Sequence, residues 1–163
     1  MAELGTAVKL SGGGGKMNSF VNIPKEDVVT ISSVILSEMI QMAKTLGVKK
    51  GVAFVSIQKQ GDETGFVRYR TINNTIQRCK RNPDDRATNY FGVAMEKLAI
   101  MMATGLKSGT FKEVKVGETP YRGGLVLVSE KYTVYVGFSG GTEDQDVEIA
   151  EQGMFVAELE LNL

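Results

Sequence analysis

The chain has 163 residues, of which 42% are hydrophobic and 23% are charged, and its basic and acidic residues balance at 19 each. This composition is typical of one soluble globular domain, and a net charge of zero provides no global field for nucleic acid or a membrane surface. The sequence has no apolar run long enough to cross a bilayer and no basic start followed by an apolar block, as in a secretory signal. We therefore expect a cytoplasmic protein without nucleic-acid or membrane partners.

Two residue types limit the chemistry. The chain contains no histidine and one cysteine, Cys79. The lack of histidine excludes Ser–His and Cys–His nucleophiles and histidine-ligated haem, and it leaves zinc short of ligands. A single cysteine forms no intrachain disulfide, which suits a reducing compartment. Although basic residues flank Cys79, we predict a surface thiol. We predict no catalytic or metal-binding residues, so a non-enzyme is favoured.

The first 19 residues are predicted to form a flexible arm, because residues 12–15 are consecutive glycines. Lys16 follows them as in a phosphate-binding loop, but Met17 stands where that loop needs serine or threonine. Residues 20–163 are predicted to form a single domain.

A long helix is predicted over residues 24–46, with Pro24 at its first position. Its apolar stripe is wide enough to indicate burial against a sheet and, as an alternative, against a second subunit as well. An apolar strand at 51–57 and an alternating strand at 66–71 then form a hairpin. The alternation sets Arg68 and Arg70 on one face of the second strand.

The middle of the chain is less regular. Residues 72–86 are polar, and a short helix is predicted before Pro83. A second helix is predicted over residues 87–105. Lys97 on its apolar side is interpreted as a lysine that reaches solvent, with a buried amine suited to Schiff-base chemistry as the alternative.

The last third begins with strands. A short edge strand is predicted at 113–116, followed by stronger strands at 123–129 and 132–139 and a helix at 142–159. Strands linked by hairpins and flanked by helices define an α+β domain, with an antiparallel sheet of about five strands.

The corner between the last strand and the last helix reads "GFSGGTEDQDVEIAEQG", residues 137–153. The order of strand, glycine and helix is typical of phosphate-binding loops. Thr142 is predicted as the N-cap, with Gln145 completing a capping box. Glu143, Asp144 and Asp146 then fill the helix start with negative charge, which argues against a bound phosphate.

Two interpretations of this corner stay open. It is either a structural turn alone or the wall of a small pocket at Ser139, Gly140 and Gly141, where the missing Cβ atoms let a ligand approach. A cluster of basic residues precedes it in the chain: Arg68, Arg70, Arg78, Lys80, Arg81 and Arg86. A solvated face is favoured for this cluster, and an anion or acidic-partner site is the alternative. The candidate ligand-binding residues are Ser139, Gly140, Gly141, Thr142, Arg68 and Arg70.

Residues 123–153 resemble the signature of the GlcG/HbpS-like family. The residues that carry the resemblance are Gly123, Gly124, Gly137, Ser139, Gly140, Gly141, Thr142, Asp146, Ala150 and Gly153. The resemblance implies a profilin-like α+β fold and a homo-oligomer. Some members of the family bind haem or a corrinoid, and others are encoded beside glycolate or cobalamin-dependent diol enzymes. A "haem-degrading" label is attached to the family.

The sequence also departs from the family pattern. The helix motif A-x-x-K-A-x-T-A remains only as Ala94 and Lys97, and residues 72–90 resemble an insertion. We therefore expect a non-catalytic protein that binds a small ligand, with a corrinoid, haem or an organic acid as the candidates. An enzyme acting on haem or a small metabolite is the alternative, and a structural assembly protein is the second alternative.

Overall fold

The structure is a computed structural model that describes residues 25–163, with side chains from residue 27 onward. The predicted arm at residues 1–19, its glycine run and Pro24 lie outside the described residues.

Three helices separate two groups of strands along this part of the chain. Their order is α1 (Lys25–Thr45), β1 (Gly51–Lys59), β2 (Phe66–Ile72), β3 (Gln77–Arg78), β4 (Thr88–Asn89), α2 (Tyr90–Thr104), β5 (Gly124–Val128), β6 (Tyr132–Ser139) and α3 (Glu143–Leu161). The main sheet has the order β2-β1-β6-β5, and β3 and β4 form a separate ribbon. All pairs are antiparallel. The predicted α+β class is confirmed.

The sheet lies between two helical layers. Helices α1 and α3 pack together on one face, and α2 covers the other. The period of two sends alternate residues of each strand to opposite cores. Val55 and Val136 face α1 and α3, whereas Phe54 and Tyr135 face α2. The ends of β1 and β6 meet at the pair Val52–Ser139, so the loop before β1 lies beside the corner after β6.

Three local predictions are wrong. Residues 113–116 form no strand, and Val116 is fully exposed with no apolar surface to cover it. The segment before Pro83 forms turns and strand β3, which pairs with β4 beyond Pro83, instead of a helix. Helix α2 begins at Tyr90, not at residue 87, because Ala87 has φ of +62° and Asn89 caps the backbone N–H of Gly92. The main sheet therefore has four strands.

Among residues 25–163, no helix is both long and apolar enough to span a membrane.

Candidate ligand-binding site

The corner after β6 is built as a capping box. The side chain of Thr142 accepts a hydrogen bond from the backbone N–H of Gln145 at 3.3 Å, and the N–H of Thr142 donates to Gln145 Oε1 at 2.9 Å. Gln145 Nε2 donates to the carbonyl of Leu46 at 3.1 Å, which ties the corner to the end of α1. The predicted cap is confirmed, and the start of α3 is held from two sides.

Asp146 turns into the protein although it lies in the first turn of α3. The residue is 5% exposed, and its Oδ1 accepts the backbone N–H of Gly141 at 2.9 Å. The nearby Gly140 backbone also favours the charged form of this carboxylate. A phosphate-binding loop would offer an amide such as that of Gly141 to its ligand. Here a carboxylate of the chain itself occupies it, so the corner is not a phosphate loop.

Lys97 completes this buried cluster from the opposite face of the sheet. Its Nζ donates to Asp146 Oδ2 at 2.8 Å and to the carbonyl of Phe138 at 2.6 Å. The prediction that Lys97 reaches solvent is wrong, since the residue is 1% exposed. Gly123 leaves room for the pair, because a Cβ there would lie 2.5 Å from the Asp146 Cβ and 3.0 Å from the amine.

Burial acts on both charges of this pair. It lowers the pKa of Lys97 and raises the pKa of Asp146, because each charged form loses its hydration. The ion pair opposes both shifts. The cluster is thus an internal charge pair enclosed by backbone, and among the described residues it joins α2, the end of β6 and the start of α3.

An open cavity of about 610 Å³ lies on the outer side of the same corner. Among the described residues that line it, four are basic and none is acidic. The lining residues are Gly47, Val48, Lys49, Lys50, Arg78, Cys79, Arg81, Tyr90, Gly140, Gly141, Thr142 and Gln145. We call this cavity the basic pocket.

Two segments supply the cations of the basic pocket, namely the loop before β1 and strand β3 with the residues that follow it. Lys49 and Lys50 lie between α1 and β1, where Gly47, with φ of +74°, ends the helix. Asn73 Nδ2 fastens this loop by donating to the Lys49 carbonyl at 3.2 Å. Arg81 follows strand β3, so cations from distant parts of the chain face one cavity.

The ribbon is held by the ion pair between Arg78 and Asp85. Both guanidinium Nη atoms donate to this carboxylate, Nη2 at 2.8 Å. Asp85 also accepts the backbone N–H groups of Arg81 at 3.0 Å and Ala87 at 2.9 Å. The hydrogen bond from Arg78, with help from the two N–H groups, holds the pKa of Asp85 far below its ordinary value. Arg78 is therefore neutralised by its partner.

The other three cations of the basic pocket differ from Arg78. Within residues 27–163, no carboxylate forms an ion pair with Lys49, Lys50 or Arg81. The pocket therefore has a positive potential, which favours an anion.

The sequence-predicted candidates separate into two groups. Gly140, Gly141 and Thr142 line the basic pocket, and Ser139 is buried at the end of β6 without lining it. The two arginines of the predicted site instead contact helix α1. Arg68 donates to Ser33 Oγ at 2.7 Å and Arg70 to Ser37 Oγ at 2.8 Å.

The basic cluster of residues 68–86 divides in the same way, since only Arg78 and Arg81 of its members line the pocket. The sequence interpretation did not include Lys49, Lys50 or Tyr90. The signal that was available is the lysine pair close after the helix-ending Gly47.

Cys79 is exposed in the pocket lining, which confirms the predicted surface thiol. Among the described residues, no group of three or more Cys, Asp or Glu side chains could hold a metal ion.

The molecule is thus a three-layer α+β domain with a basic pocket at one end of its sheet. No family model matches the sequence, and no curated protein matches it. Among solved structures, the chain is similar to a double mutant of HbpS from Streptomyces reticuli, with 15% identity and a TM-score of 0.41. The match covers 93% of this chain and 98% of the HbpS chain. HbpS is of the family that the sequence resembles.

Proposed function

We propose that this chain is a binding protein for a small organic anion with more than one negative charge, seated in the basic pocket. The observation that supports the proposal is the set of three cations, Lys49, Lys50 and Arg81, that face the cavity without a carboxylate partner in the described part of the chain. A volume of about 610 Å³ is in the range of small-molecule pockets.

The charges of the pocket also indicate the class of ligand. The Gly141 amide is bound to Asp146, so the recognition groups are side chains rather than bare backbone. A guanidinium such as Arg81 binds a carboxylate through two parallel hydrogen bonds, and the lysines act as point charges. Tyr90 adds aromatic surface to the lining. Di- and tricarboxylates and small phosphorylated metabolites fit this set.

Calorimetric titration with citrate, succinate and propionate tests the proposal, with spermidine as a ligand of opposite charge. We expect affinity to rise with anion charge, to fall with added salt and to be absent for spermidine. The double variant Lys49→Glu/Lys50→Glu should weaken citrate binding by at least about tenfold. Lys112→Glu/Lys131→Glu is the matched control, because it makes the same change in net charge at exposed loop residues outside the pocket. Equal losses in both variants, or no binding to the wild-type protein, would contradict the proposal.

The tetrapyrrole ligands implied by the family resemblance are tested on the same variants. Haemin carries two propionate groups, whereas cobalamin carries one phosphodiester, and the binding of each is followed by absorbance. A spectral shift that the Lys49→Glu/Lys50→Glu change abolishes would identify that tetrapyrrole as a ligand of the basic pocket. A shift that the change leaves intact would point to a different site.

A further inference from the structure

Asp146 connects the buried ion pair to the wall of the basic pocket. Its Oδ1 accepts the N–H of Gly141, which lines the pocket, and its Oδ2 accepts the amine of Lys97. A Cβ on Gly140 would lie 2.3 Å from the Lys50 carbonyl, so this glycine packs directly against the backbone of a pocket cation. One chain of contacts therefore runs from Lys97 through Asp146 and the glycines to Lys50.

The cost of burying this pair bears on its role. Two charges removed from water lose their hydration, and a well-packed apolar pair of the same volume is often equally stable. A buried pair of this kind is therefore weak as a source of stability, whereas its hydrogen bonds impose a geometry. Here the geometry is the inward orientation of the Gly141 amide, which follows Gly140 in the pocket wall.

We propose that Asp146 and Lys97 are positioning residues for the basic pocket, which hold its glycine wall and the adjoining Lys50 backbone in the ligand-binding arrangement. The inference rests on the proposed function. Asp146 touches no ligand in this arrangement, since it lies on the protein side of the corner and is 5% exposed. It acts on the ligand through the two glycines.

The sign of the effect separates this role from simple electrostatics. Removing a negative charge beside a positive pocket should strengthen anion binding if charge alone matters. Loss of the acceptor for the Gly141 amide should weaken it. Asp146→Asn removes the charge and retains an oxygen that accepts the Gly141 N–H, whereas Asp146→Ala removes both. The two variants are matched for charge and differ in the acceptor.

The test is the Kd for citrate of the folded Asp146→Asn and Asp146→Ala variants, measured at a temperature where circular dichroism shows both to be folded. We expect Asp146→Ala to bind about tenfold more weakly than Asp146→Asn. Equal values, or tighter binding by Asp146→Ala, would overturn the inference. If Asp146→Ala does not fold, the Kd of Lys97→Met is the test, because this variant removes the hydrogen bond from Lys97 that holds the Asp146 carboxylate in place. An unchanged Kd in folded Lys97→Met would also overturn it.

Hydrogen exchange keeps this test separate from that of the proposed function. If the wild-type protein binds no anion, the proposed function fails. The positioning role is then judged by hydrogen exchange of the Gly140 and Gly141 amides. These amides should exchange faster in Asp146→Ala than in Asp146→Asn. If Asp146→Ala does not fold, Lys97→Met takes its place in this comparison. The Val134 amide, in the middle of β6, is the control and should change equally little in all three. Equal protection of the glycine amides would overturn the role.

Discussion

Lys97 Nζ lies 2.8 Å from Asp146 Oδ2, and the two side chains are only 1% and 7% exposed. The contact joins α2 and α3, which lie on opposite faces of the sheet, past the end of β6. The pair Arg122–Asp144 is a contrast in the same region, with a distance of 3.0 Å and side chains that are 50% and 87% exposed. One pair is enclosed by protein and the other is hydrated.

Removing one partner of the buried pair should destabilise the protein strongly. We expect Lys97→Met to lower the free energy of unfolding by about 3–5 kcal/mol, because the Asp146 carboxylate is left buried without a cation. Arg122→Met is the matched control and should lower the free energy of unfolding by only about 0–1 kcal/mol, because water can solvate the exposed Asp144 carboxylate in place of the guanidinium. Urea unfolding measures both. Similar costs for the two variants would show that burial does not control the strength of these pairs.

Gly140 should tolerate no side chain. Its φ is +150°, and a Cβ would lie 2.3 Å from the Lys50 carbonyl and 2.5 Å from the Gly51 Cα. Gly140→Ala should therefore cost more than about 3 kcal/mol through backbone strain and overlap together. Gly117→Ala is the control for backbone strain alone, because Gly117 has φ of +88° and open space where a Cβ would lie. This substitution should lower the free energy of unfolding by about 1 kcal/mol. Thermal unfolding measures the difference, and equal shifts in Tm would refute it.

The stability of the β3–β4 ribbon should depend on pH only under acidic conditions. The pKa of Asp85 is far below its ordinary value because Arg78 hydrogen-bonds its charged form. A lowered pKa contributes stability that is complete above the unfolded value of about 4 and is lost as pH falls through the folded value. We expect the NMR shifts of the Arg81 and Ala87 amides to be constant from pH 7 to about 5, and the ribbon to loosen below about 4.

Asp85→Asn is the control for this pH dependence. It should weaken the ribbon already at pH 7 and remove the acid transition that Asp85 causes. An acid transition of the same size in Asp85→Asn would assign the effect to another group.

A ligand in the basic pocket should protect Cys79, which is exposed and lines the cavity. Saturating citrate should slow alkylation by neutral iodoacetamide by about fivefold or more, because the bound anion covers the thiol. Mass spectrometry follows the reaction. The Lys49→Glu/Lys50→Glu variant should show no protection. Protection that persists in this variant would mean that citrate acts away from the pocket.

The outer side of α3 should mediate self-association. Phe155 and Leu159 are 55% and 60% exposed and lie one helical turn apart, so they form a shared apolar surface. Size exclusion with light scattering should give a dimer or a larger assembly for the wild-type protein. Phe155→Ser with Leu159→Ser should give a monomer, whereas Val116→Ser, at an isolated exposed residue, should not. A wild-type monomer would contradict the prediction.

The local features of the fold were predictable from neighbouring residues. The wide apolar stripe of α1, the alternation in β2 and the Thr142–Gln145 cap each depend on residues within a few positions of one another. The edge strand predicted at 113–116 failed because an edge strand needs a neighbour to pair with, and no short pattern shows whether one is present. Ala87 shows the same limit, since its positive φ is imposed by the ribbon that Asp85 closes.

By itself, the amino-acid sequence determined the α+β class, the order of the main elements and the glycine corner after β6, because periodicity and capping are local effects. Only the tertiary structure decided what that corner does. In the sequence, Asp146 is one of three acidic residues at a helix start. In the structure its side chain is buried, because Lys97 and the Gly141 amide donate hydrogen bonds to it. The basic pocket likewise combines Lys49 and Lys50 with Arg81. Charges so distant in the chain act together only where folding has brought them to one end of the sheet.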